Sequence, residues 1–351
     1  MAMRKRYTVA VVGATGAVGA EMLRVLAERR FPVGKLRLLA SDRSAGRQMA
    51  FNGGRYRVEP LRKRSFDSVD VALFSAGAAR SLEFGPEAVK RGAVVVDNSS
   101  AFRMKDGVPL VVPEVNPHAL RAHRGLIANP NCSTIVMLVA LKPLHDAARL
   151  RRIIVSTYQS VSGAGAKAMA QLYEETARAL KRVKISERSL TADVRLPKRT
   201  TVLPSQIAFN VIPQVDVFLR NRYTKEEMKM VNETRKILEE PMLAISATCA
   251  RVPVFIAHSE AVWIETERPL SVEEARRLLR RAPGVRLADE AATLTYPMPV
   301  DAAGRDEVLV GRIRKDESVE NGLALWVSGD NLRKGAATNA IQIAELLIRG
   351  G

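Results

Sequence analysis

Cys132 is the residue whose setting first suggests chemistry. The run Asn129-Pro-Asn-Cys-Ser-Thr134 places a thiol in the first turn of a helix that Asn131 is positioned to cap. A helix start favours thiolate over thiol, so a cysteine there is a candidate nucleophile rather than a small buried hydrophobe. Cys249, inside the apolar run Ile245 to Ala250, reads as packing. Further along, Gln159-Ser-Val-Ser-Gly-Ala-Gly165 ends a strand in small residues, and Arg251 and His258 bracket a turn between two strands. The four histidines, His118, His123, His145 and His258, show no pairing with cysteine at zinc-ligand spacing, so no metal is expected.

A second chemical signal lies near the start. Gly13-Ala-Thr-Gly16-Ala-Val-Gly19 follows an expected strand and opens an expected helix, the context in which a glycine-rich loop cradles a dinucleotide. The glycines permit a tight turn, and the helix start offers N–H groups to a pyrophosphate. Gly13, Thr15, Gly16, Ala17 and Val18 are therefore cofactor candidates, although the spacing is GxxGxxG rather than the commoner GxGxxG. After the second strand the chain reads Ala40-Ser-Asp-Arg-Ser-Ala-Gly46. Arg43 with Ser41 and Ser44 suits a 2′-phosphate and favours NADP. Asp42 is either a turn residue or an acceptor for the 2′-hydroxyl of NAD.

These groups need a scaffold, and 351 residues are long enough for two cores. Strands at Thr8 to Val12, Leu36 to Ala40, Val69 to Phe74 and Ala93 to Asp97 alternate with helices at Ala17 to Arg29 and Ala79 to Arg91, the habit of a parallel sheet. After a helix at Ser133 to Ala148, strands are expected at Arg152 to Val161, Ile245 to Arg251, Ala257 to Thr266, Val308 to Arg312 and Leu323 to Ser328. Helices are expected at Gly165 to Val183, Glu226 to Leu238 and Ser271 to Ala282. A closing amphipathic helix, Gly335 to Ile348, is placed to return to the first unit. The predicted fold class is α/β: a Rossmann-type dinucleotide-binding domain, residues 1–131 completed by 331–351, plus an α+β catalytic domain with a mixed sheet, residues 132–330.

Composition narrows the classes. No run of eighteen apolar residues occurs, and the basic start leads straight into a strand, so neither a membrane span nor a signal peptide is expected. Two distant cysteines fit a reducing, cytoplasmic setting. The net charge of +18 raises the question of nucleic acid. Its arginines and lysines are scattered over helices without an aromatic-interleaved stripe, so a solvated surface is expected, with a field favouring anionic small substrates.

Seven motifs in order carry a resemblance: Gly13 to Gly19, Ser99-Ser-Ala-Phe-Arg103, Asn129 to Thr134, Gln159 to Gly165, Glu226-Glu-Met-Lys229, Arg251 with His258, and Asp330-Asn-Leu-Arg-Lys-Gly335. Together they resemble aspartate-semialdehyde dehydrogenases over nearly the whole chain, in the branch common in Gram-positive and other non-enteric lineages. The resemblance implies NADP-dependent reductive dephosphorylation of L-aspartyl 4-phosphate to L-aspartate 4-semialdehyde, and its reverse, in lysine, threonine and methionine biosynthesis. By the same resemblance Cys132 would carry the acyl group as a thioester, His258 would be the general acid/base and Gln159 would orient the substrate. Arg251 would grip the α-carboxylate, Glu226 the α-amino group, and Arg103 and Lys229 the phosphate, with Asn131 beside them. It nominates Ser75, Gly77, Ser162, Gly163 and Asn331 for the cofactor, and a homodimer or homotetramer assembled through the second domain. The sequence departs from the family's pattern at Ala78-Ala79, where another glycine is common.

Two sister chemistries share this plan, an N-acetyl-γ-glutamyl-phosphate reductase and a malonyl-CoA reductase. Glu226 argues against the first, because a carboxylate is what a free ammonium wants. A non-catalytic nucleotide- or nucleic-acid-binding module is the alternative from another class.

Overall fold

The computed structural model describes residues 5–186, 189–191, 194–197 and 202–349; the first four and last two residues of the expected first unit lie outside it. In chain order the elements are β1 (Tyr7–Val12), α1 (Ala17–Glu28), β2 (Val33–Ala40), β3 (Gln48–Phe51), β4 (Gly54–Pro60), β5 (Val71–Phe74), α2 (Ala78–Lys90), β6 (Val94–Asp97) and β7 (Leu126–Ala128). There follow α3 (Cys132–Ala148), β8 (Leu150–Gln159), α4 (Ala166–Leu180), β9 (Lys184–Ser186), β10 (Ser189–Thr191), α5 (Lys225–Leu238), β11 (Ala244–Arg251) and β12 (His258–Thr266). The chain closes with α6 (Val272–Arg281), β13 (Val285–Leu287), α7 (Pro299–Ala302), β14 (Val308–Asp316), β15 (Gly322–Gly329) and α8 (Thr338–Arg349).

The first sheet runs β3-β4-β2-β1-β5-β6-β7, parallel except for the β3–β4 hairpin. Its strand order reverses between β1 and β5, where an open α/β sheet leaves a crevice beyond the carboxyl ends of its strands. The apolar runs explain why these strands stay central: Val9 to Val12 and Val71 to Phe74 are buried on both faces. The second sheet is mixed, in the order β11-β8-β12-β15-β14-β13, with β8 and β11 parallel and β12, β15 and β14 antiparallel in turn. Helix α3 lies on this sheet, and Ile135 to Leu141 are all buried in the larger core.

Several boundaries moved from the sequence expectation. The strand expected to reach Val161 stops at Gln159, because Val161–Ala164 folds into a 3-10 turn. The last helix starts later than Gly335, because Arg333–Ala337 forms a π-helical turn before α8. The β3–β4 hairpin and β7 were not foreseen. Asn52 and Gly53 both take positive φ, 46° and 79°, as a two-residue hairpin turn requires.

Glu260 tests the interior of the second sheet. It lies on β12 opposite Thr157 of β8 and Val327 of β15, fully buried, and neither carboxyl oxygen has a hydrogen-bond partner among the described residues. Burial pushes its carboxyl well above the ordinary 4.5. The unfolded chain releases this proton near its ordinary value while the folded chain keeps it. Stability should therefore fall as pH rises above that value, by about 1.4 kcal/mol per unit until the folded carboxyl ionises. Glu260→Gln should flatten that slope. Melting curves taken across pH 5 to 8 check it, and parallel curves for the two proteins would contradict a neutral buried acid.

Candidate active site

Residues from both sheets meet at a cavity of about 410 Å³ lined by Cys132, Gln159, Glu226, Lys229, Arg251 and Arg103, among others. Asn131 caps α3: its Oδ1 accepts from the N–H groups of Ser133 and Thr134 at 3.0 and 3.2 Å, so Cys132 is the first helical residue. The N–H groups of Ser133 and Thr134 are thereby engaged. A further donor stands beside the sulfur, where charge would develop on an attacked carbonyl.

His258 supplies it. Its Nε2 stands 3.4 Å from Cys132 Sγ, while its Nδ1 accepts from the Ser160 N–H at 3.0 Å. A backbone N–H can only donate, so Nδ1 carries no proton and the neutral ring bears its hydrogen on Nε2, facing the sulfur. An imidazolium would set Nδ1–H against the Ser160 N–H. Burial first, and Arg251 second, push the imidazole down to about 3. Asn331 steadies this loop, its Oδ1 accepting from Ser160 Oγ at 3.1 Å, Ser162 Oγ at 3.0 Å and the Ala257 N–H at 3.0 Å.

The thiol itself is pushed up to about 12, by burial first and then by the Glu226 charge, with Arg103, Arg251 and the Ser133 N–H acting the other way. The helix start alone therefore does not make a resting thiolate. Glu226 is buried yet held below its usual range, because burial is outweighed by Lys229 at 2.9 Å, Asn131 Nδ2 at 2.8 Å and Gln159 Nε2 at 3.3 Å. Lys229 also binds Asp216 at 2.9 Å. Arg251, buried, gives Nη1 to the Ser160 carbonyl at 2.8 Å and to Gln159 Oε1 at 3.4 Å. Its Nε and Nη2 donors have no hydrogen-bond partner among the described residues. Gly163 is held against it: a Cβ there would meet Arg251 Nη1 at 3.0 Å and the His258 ring at 3.4 Å.

The nucleotide candidates divide. Gly13, Thr15, Gly16, Ser41, Arg43, Ser44 and Ser75 line a second cavity of about 600 Å³ at the β1–β5 crevice. Gly13 has φ 85°, and a Cβ there would lie 2.3 Å from the Ser75 carbonyl oxygen, so only glycine lets these two strand ends touch. Ala17 and Val18 open α1, whose first N–H groups have no intrahelical partner and whose cap position Gly16 makes no side-chain hydrogen bond. Val18, with Ser162, Gly163 and Asn331, faces the Cys132 cavity instead, while Gly77 lines neither. Asp42, the carboxylate that left NAD open, is ion-paired to Arg62, whose Nη1 lies 3.3 Å from it. A glycine loop, free helix N–H groups and a crevice of this size fit a dinucleotide; Arg62, Lys63 and Arg80 add a cationic rim that sequence reading missed.

Other missed residues are Asp216, Glu233 and Gly335. Glu233 had a signal, seven residues beyond Glu226 on the same helical face. Asp216 had none, since it sits in irregular chain with φ 67°. Among the described residues there is no cluster of metal-ligating side chains and no helix long and apolar enough to cross a membrane.

Comparison with known proteins agrees with this geometry. Residues 8–123 match the family described as semialdehyde dehydrogenase, NAD binding domain, and residues 141–334 match semialdehyde dehydrogenase, dimerisation domain. The aspartate-semialdehyde dehydrogenase of Aquifex aeolicus is 53% identical over 98% of this chain and 99% of its own, and that of Bacillus subtilis is 52% identical over 98% of each. Among solved structures, aspartate semialdehyde dehydrogenase II from Vibrio cholerae, also solved complexed with ASA, has a TM-score of 0.92 at 50% identity, covering 98% of this chain and 99% of that one. Likeness of this extent runs through both cavities and the turn that closes on Cys132, and the chain belongs to the aspartate-semialdehyde dehydrogenase family.

Proposed function

We propose that the chain reduces L-aspartyl 4-phosphate to L-aspartate 4-semialdehyde with release of phosphate, and runs the reverse, with NADP as its nucleotide. The observation that carries this is the Cys132 thiol, 3.4 Å from the buried His258 imidazole, lining a cavity that sets a buried carboxylate, Glu226, beside a buried guanidinium, Arg251. That combination matches the ammonium and carboxylate of a free amino acid, and neither an acylated amine nor a thioester carrier would use both.

In this mechanism Arg251 holds the α-carboxylate through its unengaged N–H groups, and Glu226 takes the α-ammonium. Pairing with that ammonium cancels the carboxylate charge that otherwise raises the Cys132 thiol. As sulfur attacks carbon the thiol proton passes to the phosphoryl oxygens of the substrate's own leaving group, and the His258 Nε2–H steadies first the sulfur and then the charge that develops on the carbonyl oxygen. The C–S bond forms as the C–O bond to phosphate breaks, and Arg103 and Lys229 receive the departing anion. When bound, the nicotinamide supplies the hydride that reduces the thioester, and Cys132 leaves as thiolate. Arg43, Ser41 and Ser44 hold the 2′-phosphate, with Asp42 already neutralised by Arg62. The division into 1–131 with 331–351 and 132–330 belongs to this proposal, as do a homodimeric or homotetrameric assembly through the second unit and a cytoplasmic setting.

Arg43→Ala should lower kcat/KM for NADP⁺ by about tenfold or more while changing that for NAD⁺ little, since only the former offers a phosphate to a guanidinium. Steady-state assays with both nucleotides check this, and an equal loss for the two would remove Arg43 from the 2′-phosphate site. Purified protein given the semialdehyde, phosphate and NADP⁺ should turn over. Turnover of malonyl-CoA with NADPH and none of the semialdehyde would reverse the substrate assignment.

A further inference from the structure

Helix α5 presents four charged side chains at Glu226, Lys229, Glu233 and Lys236, spaced three, four and three apart along one face. The first two belong to the mechanism above. Glu233 is 1% exposed and spans two elements: Oε1 accepts from Arg103 Nη1 at 3.0 Å, and Oε2 accepts from the backbone N–H of Asn131 at 2.6 Å. Arg103 is otherwise fixed by backbone, giving Nε to the Asn129 carbonyl at 2.9 Å and Nη2 to the Asn98 carbonyl at 3.0 Å. Three of its five N–H groups are thus committed, and two are left for an anion in the cavity. One turn further, Lys236 Nζ donates to the carbonyls of Arg103, Val108 and Lys105 at 2.7, 3.0 and 3.2 Å, gripping the same loop from behind.

We infer that Glu233 is a positioning residue that fixes the phosphate-holding Arg103 and the cap of the Cys132 helix at one separation, so that anion binding and thiol placement are coupled through a single carboxylate. The inference rests on the proposed phosphate role of Arg103. Both acceptor oxygens are needed. An amide at this place accepts with its oxygen alone and turns an NH₂ toward a second donor, so one of the two contacts must open.

Glu233→Gln in the full-length protein is the test, with three readouts: KM for inorganic phosphate, KM for NADP⁺, and the rate of Cys132 alkylation by iodoacetamide at fixed pH. A roughly tenfold or larger rise in phosphate KM is expected, with alkylation changed several-fold and NADP⁺ KM within about twofold. Unchanged phosphate KM and alkylation would overturn the coupling, as would a uniform loss across all three. Should that variant fail to fold, Arg103→Lys reads the same link from its other end, because an ammonium cannot reach all three acceptors. Phosphate KM should rise and alkylation should shift together. A phosphate effect with untouched alkylation would overturn the inference alone. No effect of Arg103→Lys on phosphate KM would instead overturn the phosphate role on which it rests.

Discussion

Replacing Cys132 by serine should lower turnover by about 10⁴-fold or more while leaving the NADP⁺ dissociation constant within about twofold. In the proposed mechanism sulfur is the group that attacks, leaves and carries the acyl chain, and a hydroxyl in the same place ionises far less readily. The cavity makes the demand sharper, because burial and Glu226 already oppose ionisation of the thiol and would oppose an alkoxide more. The nucleotide cavity is built around Gly13, Arg43 and Ser75 and does not include residue 132, so affinity should survive. Turnover and fluorescence titration of nucleotide, measured on the same preparation, check both halves. Retained activity would refute covalent catalysis, and lost affinity would show that the fold around α3 had failed.

Gly335→Ala is the second large effect. A Cβ at this position would lie 2.9 Å from Cys132 Cβ and 3.3 Å from its Cα, closer than packed side chains come. The glycine N–H is meanwhile tied to the Asp330 carbonyl at 2.9 Å, so the turn cannot easily withdraw. It is anchored further by Arg333, bound to Glu21 and Asp306 at 2.9 Å each, and by fully buried Lys334, bound to Glu114 at 2.6 Å. Cys132 is therefore the part that must move. A displacement approaching 1 Å should cost about 10²-fold in kcat/KM. The Arg333 and Lys334 anchors should keep the loss in melting temperature small. Kinetics beside a melting curve test this, and activity within about threefold of the parent would show that the turn, not Cys132, gives way.

The sequence made some of this legible and hid the rest for physical reasons. Local signals carried far: the cap and thiol of Asn131-Cys132, the glycine loop between strand and helix, and the period of α5 are all set by neighbours in the chain. The β3–β4 hairpin is also locally written, in Asn52-Gly53, but its strands are polar along one side and give only a weak apolar pattern. The resting state of Cys132 was not local. A helix start argued for thiolate, whereas burial and a carboxylate from α5, 94 positions further along, argue for thiol. The proton position on His258 likewise depends on a backbone N–H 98 residues away. Glu233 shows the same division: its face was predictable, but the two elements it joins meet only once both sheets have folded.

The central claim is an acyl group on one sulfur, and a single-turnover measurement addresses it directly. Mixing the protein with L-aspartate 4-semialdehyde and NADP⁺ in the absence of phosphate should give one NADPH per active chain. Acid quenching and peptide mass analysis should then find one aspartyl group on the peptide bearing Cys132 and none on that bearing Cys249. Reduced nucleotide formed with no adduct at Cys132, or an adduct elsewhere, would contradict the account.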